Sequence, residues 1–288
     1  INQVERVRFG EKMGARVSLY NGWMRLTGRR PQLELCQEWL GKQFLPASES
    51  GRAHLESLCG ILLHAFQHVA YYRDCLLRAG FDDNEIRNDP VAALGALPLL
   101  DKRILREHFE ALKSDDLASR NWHVNTSGGS TGEPARFIQD SEYHLYGMAG
   151  KALFDVWTGY KAGEPRVILW GSERDLLVGR ETVKARVGRF LRNEVPLNTF
   201  RMSEQDLRHF VDVINEVRPV QITAYVESAF ELARYVEQRG LKIHSPTAIL
   251  TSAGTLFRHM RELIEKVFQT RVFNRYGSRE VGDVACNC

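Results

Sequence analysis

The stretch VQITAYVESAFELARYVEQRGLKIHSPTAILTSAG, residues 220–254, decides the fold. Its two ends, 220–225 and 248–254, are short runs rich in β-branched and other apolar residues, which predict strands. Between them, residues 227–239 predict a helix that ends at Gly240, because glycine is favoured just after the last turn of a helix. Strand, helix and strand in this order predict a crossover connection between parallel strands.

The same alternation continues on both sides of this stretch. Residues 167–171 and 271–276 predict further strands, and residues 203–217 and 257–268 predict helices. Another helix is predicted near Ser141–Trp157. The helix over 203–217 places four apolar side chains on one face, namely Leu207, Phe210, Val211 and Ile214. The sequence therefore predicts an α/β fold with a layered, largely parallel sheet.

The N-terminal part of the chain has a different character. Apolar residues from Leu55 to Leu76 recur at spacings of three, four or seven, which predicts one helix that stops at Gly80. Asp101 is expected to cap the next helix. The buried stripe of that helix is expected to hold Ile104, Leu105, Phe109 and Leu112. We expect a mainly helical region, residues 1–120, packed on an α/β region, residues 121–288.

Composition excludes several classes of protein. The chain has 288 residues, 43% of them hydrophobic, which excludes disorder and a coiled coil as its main character. A net charge of +3 is too mild to favour nucleic-acid binding. No apolar run reaches the roughly 18 residues of a membrane span, and the charged start INQVERVRFG is not typical of a signal peptide. With only five cysteines, we expect a cytoplasmic protein.

A glycine-rich segment, TSGGSTGEP at 126–134, is the strongest chemical motif. Three glycines let the backbone turn its N–H groups inward around an anion, and the hydroxyls can donate to phosphate oxygens. No Lys-Ser/Thr pair follows, which argues against a kinase or another Walker-type protein. The glycine spacing also differs from the dinucleotide fingerprint. On composition alone, a flexible surface loop remains an equal alternative.

Two further motifs follow predicted strands, NRYGSRE at 274–280 and TSAGTL at 251–256. The carboxyl edge of a parallel sheet is where ligands tend to bind. Tyr276 could stack there on a base, and Glu280 could hold magnesium. Taken singly, NRYGSRE is more typical of an ordinary strand end, and TSAGTL of a common loop.

Together and in this order, the three motifs resemble those of adenylate-forming enzymes. Within that superfamily the chain resembles the phenylacetate–CoA ligase and capsular-polysaccharide CapK-type branch. LPLLDKRIL before the glycine-rich segment, ILWGSERDL after it and REVGDVACNC at the end agree with that branch. The resemblance covers most of residues 95–288.

The resemblance implies a role for each motif. The glycine-rich loop would close over the ATP phosphates through Ser127, Gly128, Gly129, Ser130, Thr131 and Gly132, with Ser130, Thr131 and Glu280 acting in catalysis. Ser252, Ala253 and Gly254 would line the adenine site. Asn274 would meet the adenine edge, Tyr276 and Gly277 would pack at the ring, Ser278 would lie near the α-phosphate, and Glu280 would bind magnesium.

The loop departs from the commonest family pattern. Gly128 stands where many relatives have Ser or Thr, and Glu133 where many have Lys. Magnesium, and to a lesser degree Arg136, would then balance the negative charge of the triphosphate.

The implied reaction is activation of a small-molecule carboxylic acid to an acyl adenylate. The acceptor would be coenzyme A, a carrier-protein thiol or an amine. A nucleotide-binding or interaction module without catalysis is the alternative. Relatives continue beyond the tyrosine motif to a ribose-binding aspartate and a lysine-bearing lid domain, whereas this sequence ends eight residues after Glu280. The resemblance therefore implies an incomplete large domain that binds nucleotide weakly and turns over poorly.

Three further expectations concern the surroundings of the site. Cys286 and Cys288 could form half of a zinc site or simply be free thiols. The basic run 183–192 could face an acidic partner or membrane headgroups, although a solvated helix face is more common. Trp170, Tyr225 and Phe230 could line the pocket for the acid, although aromatic residues beside a sheet usually belong to the core.

Overall fold

The computed structural model describes residues 19–20, 22–24, 30–127, 134–171 and 183–287, the last range without the side chains of its first four residues. Two compact units are present, residues 35–148 and residues 1–34 with 149–288. The two units are defined by the contacts between residues, whereas the boundary expected at residue 120 is placed where the predicted secondary structure changes. That boundary stays a prediction.

In the unit of residues 35–148, a series of helices is followed by a hairpin. Its elements are α1 (Arg30–Lys42, which begins in the other unit), α2 (Ala47–His68), α3 (Ala70–Arg78), α4 (Asp83–Asn88), α5 (Pro90–Ala96), α6 (Lys102–Glu107), a 3₁₀ helix (Asp115–Ser119), β1 (Trp122–Thr126) and β2 (Arg136–Asp140). β1 and β2 pair antiparallel in register from Trp122↔Asp140 to Thr126↔Arg136. A small core cluster lies among α2 to α5 and consists of Leu62, Leu63, Leu76, Ile86 and Ala93.

The expectation of one helix from Leu55 to Leu76 is wrong. α2 ends at His68, Val69 is extended with φ −122°, and α3 begins at Ala70. Val69 instead forms an isolated antiparallel bridge with Ser114, a partner that helical periodicity does not reveal. The stop at Gly80 is confirmed, since this glycine has φ +83° just after α3.

The predicted cap of α6 is confirmed, because Asp101 Oδ1 accepts a hydrogen bond from the Ile104 N–H at 2.7 Å. The stripe expected to be buried is only half-buried, since α6 ends at Glu107 after six residues. That stripe is Ile104, Leu105, Phe109 and Leu112.

Arg120 connects the 3₁₀ helix to the hairpin. Its guanidinium lies 2.7 Å from Asp116 Oδ2 and 2.9 Å from Asp140 Oδ2. The pKa of Asp116 is lowered to about 2, mainly by the hydrogen bond from Arg120 and to a smaller extent by the one from the Ser114 hydroxyl. The carboxylate of Asp116 is therefore stabilised in its charged form by the folded structure.

The second unit contains the main sheet. Its elements are α7 (Ser141–Trp157, which begins in the first unit), β3 (Arg166–Leu169), α8 (Val183–Arg192), β4 (Glu194–Leu197), α9 (Glu204–Val217), β5 (Gln221–Tyr225), α10 (Val226–Arg239), β6 (Ala248–Ser252), α11 (Arg258–Phe268), β7 (Arg271–Ser278) and β8 (Gly282–Cys286). The strand order is β4-β3-β5-β6-β7-β8. The β7–β8 pair is antiparallel and all other pairs are parallel, which confirms the predicted fold class.

Local sequence explains the helices of this unit. A capping box between Ser203 and Asp206 begins α9, and Gly240 with φ +59° ends α10. The four residues expected to face inward on α9 are all buried in the core: Leu207, Phe210, Val211 and Ile214. No helix in the described part of the chain is long and apolar enough to cross a membrane.

Candidate functional site

β6 ends beside the middle of β7, at the carboxyl edge of the parallel sheet. The two strands pair in parallel from Ala248↔Arg271 to Thr251↔Asn274. Parallel pairing brings the SAG turn, residues 252–254, and the tyrosine motif, residues 274–280, to the same edge. This is the edge at which ligands of α/β sheets bind.

A buried threonine joins the two motifs. Thr251 is fully buried, and its hydroxyl lies 3.1 Å from the Phe273 carbonyl oxygen and 3.0 Å from Asn274 Oδ1. The Asn274 side chain therefore directs Oδ1 towards β6, which leaves its Nδ2 group turned away from Thr251. The backbone of Asn274 also exchanges hydrogen bonds with Asn287, so this residue is fixed from two sides.

The SAG turn leaves the sheet through an unusual backbone. Ser252 is buried, and Ala253 has φ +61°, a left-handed conformation that non-glycine residues rarely adopt. A Cβ on Gly254 would lie 2.5 and 2.6 Å from the two carboxylate oxygens of Glu227. Glu227 belongs to the first turn of α10, so its carboxylate lies directly beside the turn.

The tyrosine motif forms one arm of the β7–β8 hairpin. Tyr276 is 72% exposed and pairs with Ala285 across the hairpin. A Cβ on Gly277 would overlap the Gly282 carbonyl oxygen and lie 2.8 Å from Asp283 Cα, so the strands approach closely only because this residue is glycine. Arg275 and Asp283 form a largely buried ion pair at 3.2 Å. The hairpin thus exposes the Tyr276 ring, while the ion pair and the close strand contact hold the backbone beneath it in place.

The remaining residues of this motif lie at the end of the hairpin. Ser278 is exposed and pairs with Gly282, and Glu280 is half-buried in the turn that follows. The roles assigned to Ser278 at the α-phosphate and to Glu280 at magnesium stay predictions.

Two of the three candidate pocket residues come together. The rings of Trp170 and Tyr225, which follow and end neighbouring strands, have centroids 3.9 Å apart with an interplanar angle of 30°. Phe230 instead packs edge-on against His259, with centroids 5.7 Å apart. A pocket for the acid formed by all three stays a prediction.

The glycine-rich segment connects β1 and β2. Gly128, Gly129, Ser130, Thr131, Gly132 and Glu133 lie outside the described residues. The base of the segment is well defined, since Ser127 is buried and its Oγ accepts a hydrogen bond from the Ala135 N–H at 3.0 Å. The Arg136 guanidinium lies over the Phe109 ring, 4.3 Å from its centroid. The phosphate-binding role of the segment and its meeting with Tyr276 stay predictions.

No cluster of three or more metal-binding side chains occurs among the described residues. Cys286 is half-buried, with Sγ 3.6 Å from the Asn287 carbonyl oxygen, and Cys288 lies outside the described residues. Magnesium at Glu280 and zinc at the cysteines therefore stay predictions.

A buried charge network lies at the opposite, amino edge of the sheet. Arg166 at the start of β3 pairs with Asp155 and Glu194, and its guanidinium lies 3.7 Å from the centroid of the Tyr160 ring. Burial raises the pKa of Tyr160, which stays neutral. We assign this network to structure, because it is far from the edge that gathers the motifs.

Sequence reasoning missed Glu227 and the Arg275–Asp283 pair. An acidic residue two positions after a predicted strand was the available signal for Glu227. Its position beside Gly254 depends on the fold of the turn, and the ion pair depends on β8, which the sequence did not predict.

Comparison with known proteins supports the resemblance. The chain is 28% identical over 194 residues to protein CapK of Staphylococcus aureus, covering 66% of this chain and 42% of that protein. Its fold matches 2-hydroxyisobutyryl-CoA ligase, solved in an open conformation with 2-HIB-AMP and CoA, with a TM-score of 0.59, 17% identity and coverage of 82% and 56% of the two chains. The same ligase in the postadenylation state gives a TM-score of 0.59 at 19% identity, with coverage of 82% and 51%.

No protein-family model matches the chain. The chain spans between two fifths and three fifths of the length of these relatives. The CapK match confirms the resemblance to the CapK-type branch, and the fold shared with the CoA ligase agrees with it.

Proposed function

We propose that the protein to which these residues belong activates a carboxylic acid with ATP, forming an acyl adenylate and pyrophosphate. The observation that carries this proposal is the junction of β6 and β7. There the hydrogen bond between Thr251 and Asn274 joins the strand that ends in the SAG turn to the strand that carries the exposed Tyr276. The match to acid–CoA ligases of the same fold supports the same reaction class.

The adenine base would lie between the SAG turn and Tyr276. Small residues at 252–254 allow a flat ring to approach the backbone, and the exposed tyrosine ring offers a stacking face on the other side. Stacking of a base on an aromatic side chain contributes about 1–3 kcal/mol. Asn274, fixed by its neighbours, would then meet the edge of the base.

In the reaction, a carboxylate oxygen of the acid attacks the α-phosphorus of ATP. A new bond between that oxygen and phosphorus forms, the bond to the pyrophosphate oxygen breaks, and pyrophosphate leaves with the electron pair. The residues of the chain act by positioning and by neutralising charge, with no covalent enzyme intermediate.

Magnesium fits one part of the site. Glu280 offers a carboxylate next to the proposed phosphate position, and one protein carboxylate with phosphate oxygens and water is a common magnesium shell. When bound, the ion would neutralise charge on the phosphates. For zinc, the described residues supply one cysteine and no further cluster, so no role in the reaction is derived for it.

The acceptor of the acyl group is proposed to be coenzyme A, because the ligase of matching fold was solved with CoA. A carrier-protein thiol or an amine could accept the acyl group from the adenylate in the same way. For the acid, the closely packed rings of Trp170 and Tyr225 favour a flat or apolar substrate end.

Acid-dependent pyrophosphate release tests the proposal. The full-length protein would be assayed with ATP, magnesium and a panel of aryl, fatty and sugar-linked acids. Glu280→Gln should lower the rate, whereas Glu262→Gln, which removes an exposed partner of Arg258, should not. Nucleotide binding without acid-dependent release from any acid would favour the non-catalytic module.

A further inference from the structure

We propose that Glu227 reads the 6-amino group of adenine and so selects ATP over other purine nucleotides. This inference rests on the proposed function, since it requires the base to lie at the SAG turn. It adds a specificity residue that none of the sequence motifs contains.

The first support is the contact between Glu227 and Gly254. Both carboxylate oxygens lie within 2.6 Å of the point where a Cβ on Gly254 would sit. Gly254 does not have a positive φ, so its backbone conformation alone does not demand glycine. What glycine provides at this position is room for the carboxylate beside the proposed base.

The second support is that the carboxylate is available. Within the described ranges of the chain, Glu227 forms no hydrogen bond or ion pair with another side chain, and it is exposed. Two other glutamates of the same helix are paired, Glu231 with Arg234 and Glu237 with Lys266. When a bound base displaces water from this carboxylate, the charge needs a hydrogen-bond donor, and an amino group of the base supplies one.

The third support is the orientation of Asn274. Its Oδ1 is directed towards the Thr251 hydroxyl, so the group that it can offer to a ligand is the Nδ2 donor. A donor can satisfy a ring nitrogen of adenine but not the 6-amino group, which itself donates. An acceptor is therefore needed, and Glu227 is the carboxylate that contacts the SAG turn.

The resulting pattern distinguishes purines. Adenine presents an amino donor at position 6, whereas guanine and hypoxanthine present a carbonyl oxygen there. A carboxylate attracts the first and repels the second. Purine riboside triphosphate has only hydrogen at position 6, so its affinity should lie between those of ATP and GTP.

The experiment measures calorimetric Kd values for ATP, purine riboside triphosphate and GTP, each with magnesium, on the 288-residue chain. A hydrogen bond to a charged group should make ATP bind about ten- to a hundred-fold more tightly than purine riboside triphosphate. Glu227→Ala should reduce that ratio to below about threefold while the analogue itself binds unchanged or slightly better. Gly254→Ala, which pushes the carboxylate aside, should reduce the ratio without removing the charge.

Two further variants complete the test. Glu227→Gln keeps an acceptor and adds an amide donor, so discrimination against GTP should weaken. Glu237→Gln, at the far end of α10, should leave all ratios unchanged. An unchanged ratio in Glu227→Ala would overturn the inference and leave Glu227 as a residue that only stabilises the helix start. Absence of binding by every nucleotide would instead overturn the proposed function together with the inference.

Discussion

The hydroxyl of Thr251 lies 3.0 Å from Asn274 Oδ1, across two neighbouring parallel strands and in a fully buried position. This contact connects the turn proposed to support one face of the adenine with the strand that carries Tyr276. Disturbing it should therefore affect both stability and nucleotide binding.

Thr251→Val keeps the shape of the side chain but removes the hydroxyl. Because the Phe273 carbonyl and Asn274 Oδ1 then lose a donor in a buried place, the free energy of unfolding should fall by about 1–3 kcal/mol. Affinity for Mg-ATP should fall as well, since Asn274 is freed to rotate. Urea unfolding and calorimetry measure the two effects.

Thr270→Val is the matched control, because the exposed Thr270 hydroxyl donates to the Thr247 carbonyl at the opposite edge. It should leave nucleotide affinity unchanged. Equal nucleotide affinity in the wild type and in Thr251→Val would contradict the role given to the contact.

Ser127→Ala tests the base of the glycine-rich segment. The buried N–H of Ala135 loses its acceptor, so stability should fall by about 1–2 kcal/mol. We also expect weaker binding of Mg-ATP, because the loop proposed to cover the phosphates starts at this residue. Ser119→Ala, which removes an exposed hydroxyl bonded to the Asp116 carbonyl, should change neither property appreciably. Unaltered ATP affinity in Ser127→Ala would argue against the phosphate role.

Gly277→Ala tests the close approach of the two hairpin strands. The added methyl group overlaps backbone atoms of Gly282 and Asp283, which cannot move without parting the strands. Overpacking of this kind costs about 1–3 kcal/mol. Gly60→Ala, in the middle of α2 with open space around it, should instead stabilise the chain by about 0.5–1 kcal/mol. Thermal unfolding of the two variants should therefore shift in opposite directions.

Asp116 should make the first unit sensitive to acid. Its pKa is lowered to about 2 by hydrogen bonds from Arg120 and Ser114, against about 3.9 in an unfolded chain. The stabilisation is therefore present above pH about 4 and is lost as the pH falls towards about 2. Asp116→Asn should unfold more readily than the wild type at pH 7, with a difference that shrinks between these two values.

Urea titrations at pH 7, 4 and 2.5 would follow this change. Asp212→Asn, which removes an exposed partner of Arg208, is the control and should show a much smaller effect. A constant difference between Asp116→Asn and the wild type across the pH range would contradict the prediction.

The parts of the fold that depend on local sequence were predictable. Spacing alone places four apolar residues on one face of α9, namely Leu207, Phe210, Val211 and Ile214. The short apolar runs of β5, β6 and β7 are recognisable as strands from their composition. The helix break at Val69 was not predictable, because its cause is pairing with Ser114, 45 positions later. β4 and β8 were missed because they are short edge strands, one with a proline and one beginning with glycine.

The same distinction holds for the site. The order of motifs indicated which segments meet at the sheet edge, and parallel pairing brings Thr251 beside Asn274. The contact of Glu227 with Gly254 could not be predicted, because it depends on the left-handed backbone of Ala253. Such a conformation is rare for alanine and is determined by the surrounding structure.

Titration of Mg-ATP into the 288-residue chain and into its Tyr276→Ala variant tests the central claim most directly. The account predicts weak, saturable, one-site binding to the wild-type chain and a loss of about tenfold or more in the variant, because the stacking face is removed. Tyr146→Ala, at another exposed tyrosine, should bind as the wild type does. Absence of saturable binding, or equal affinity in Tyr276→Ala, would contradict the assignment of the carboxyl edge as an adenine-nucleotide site.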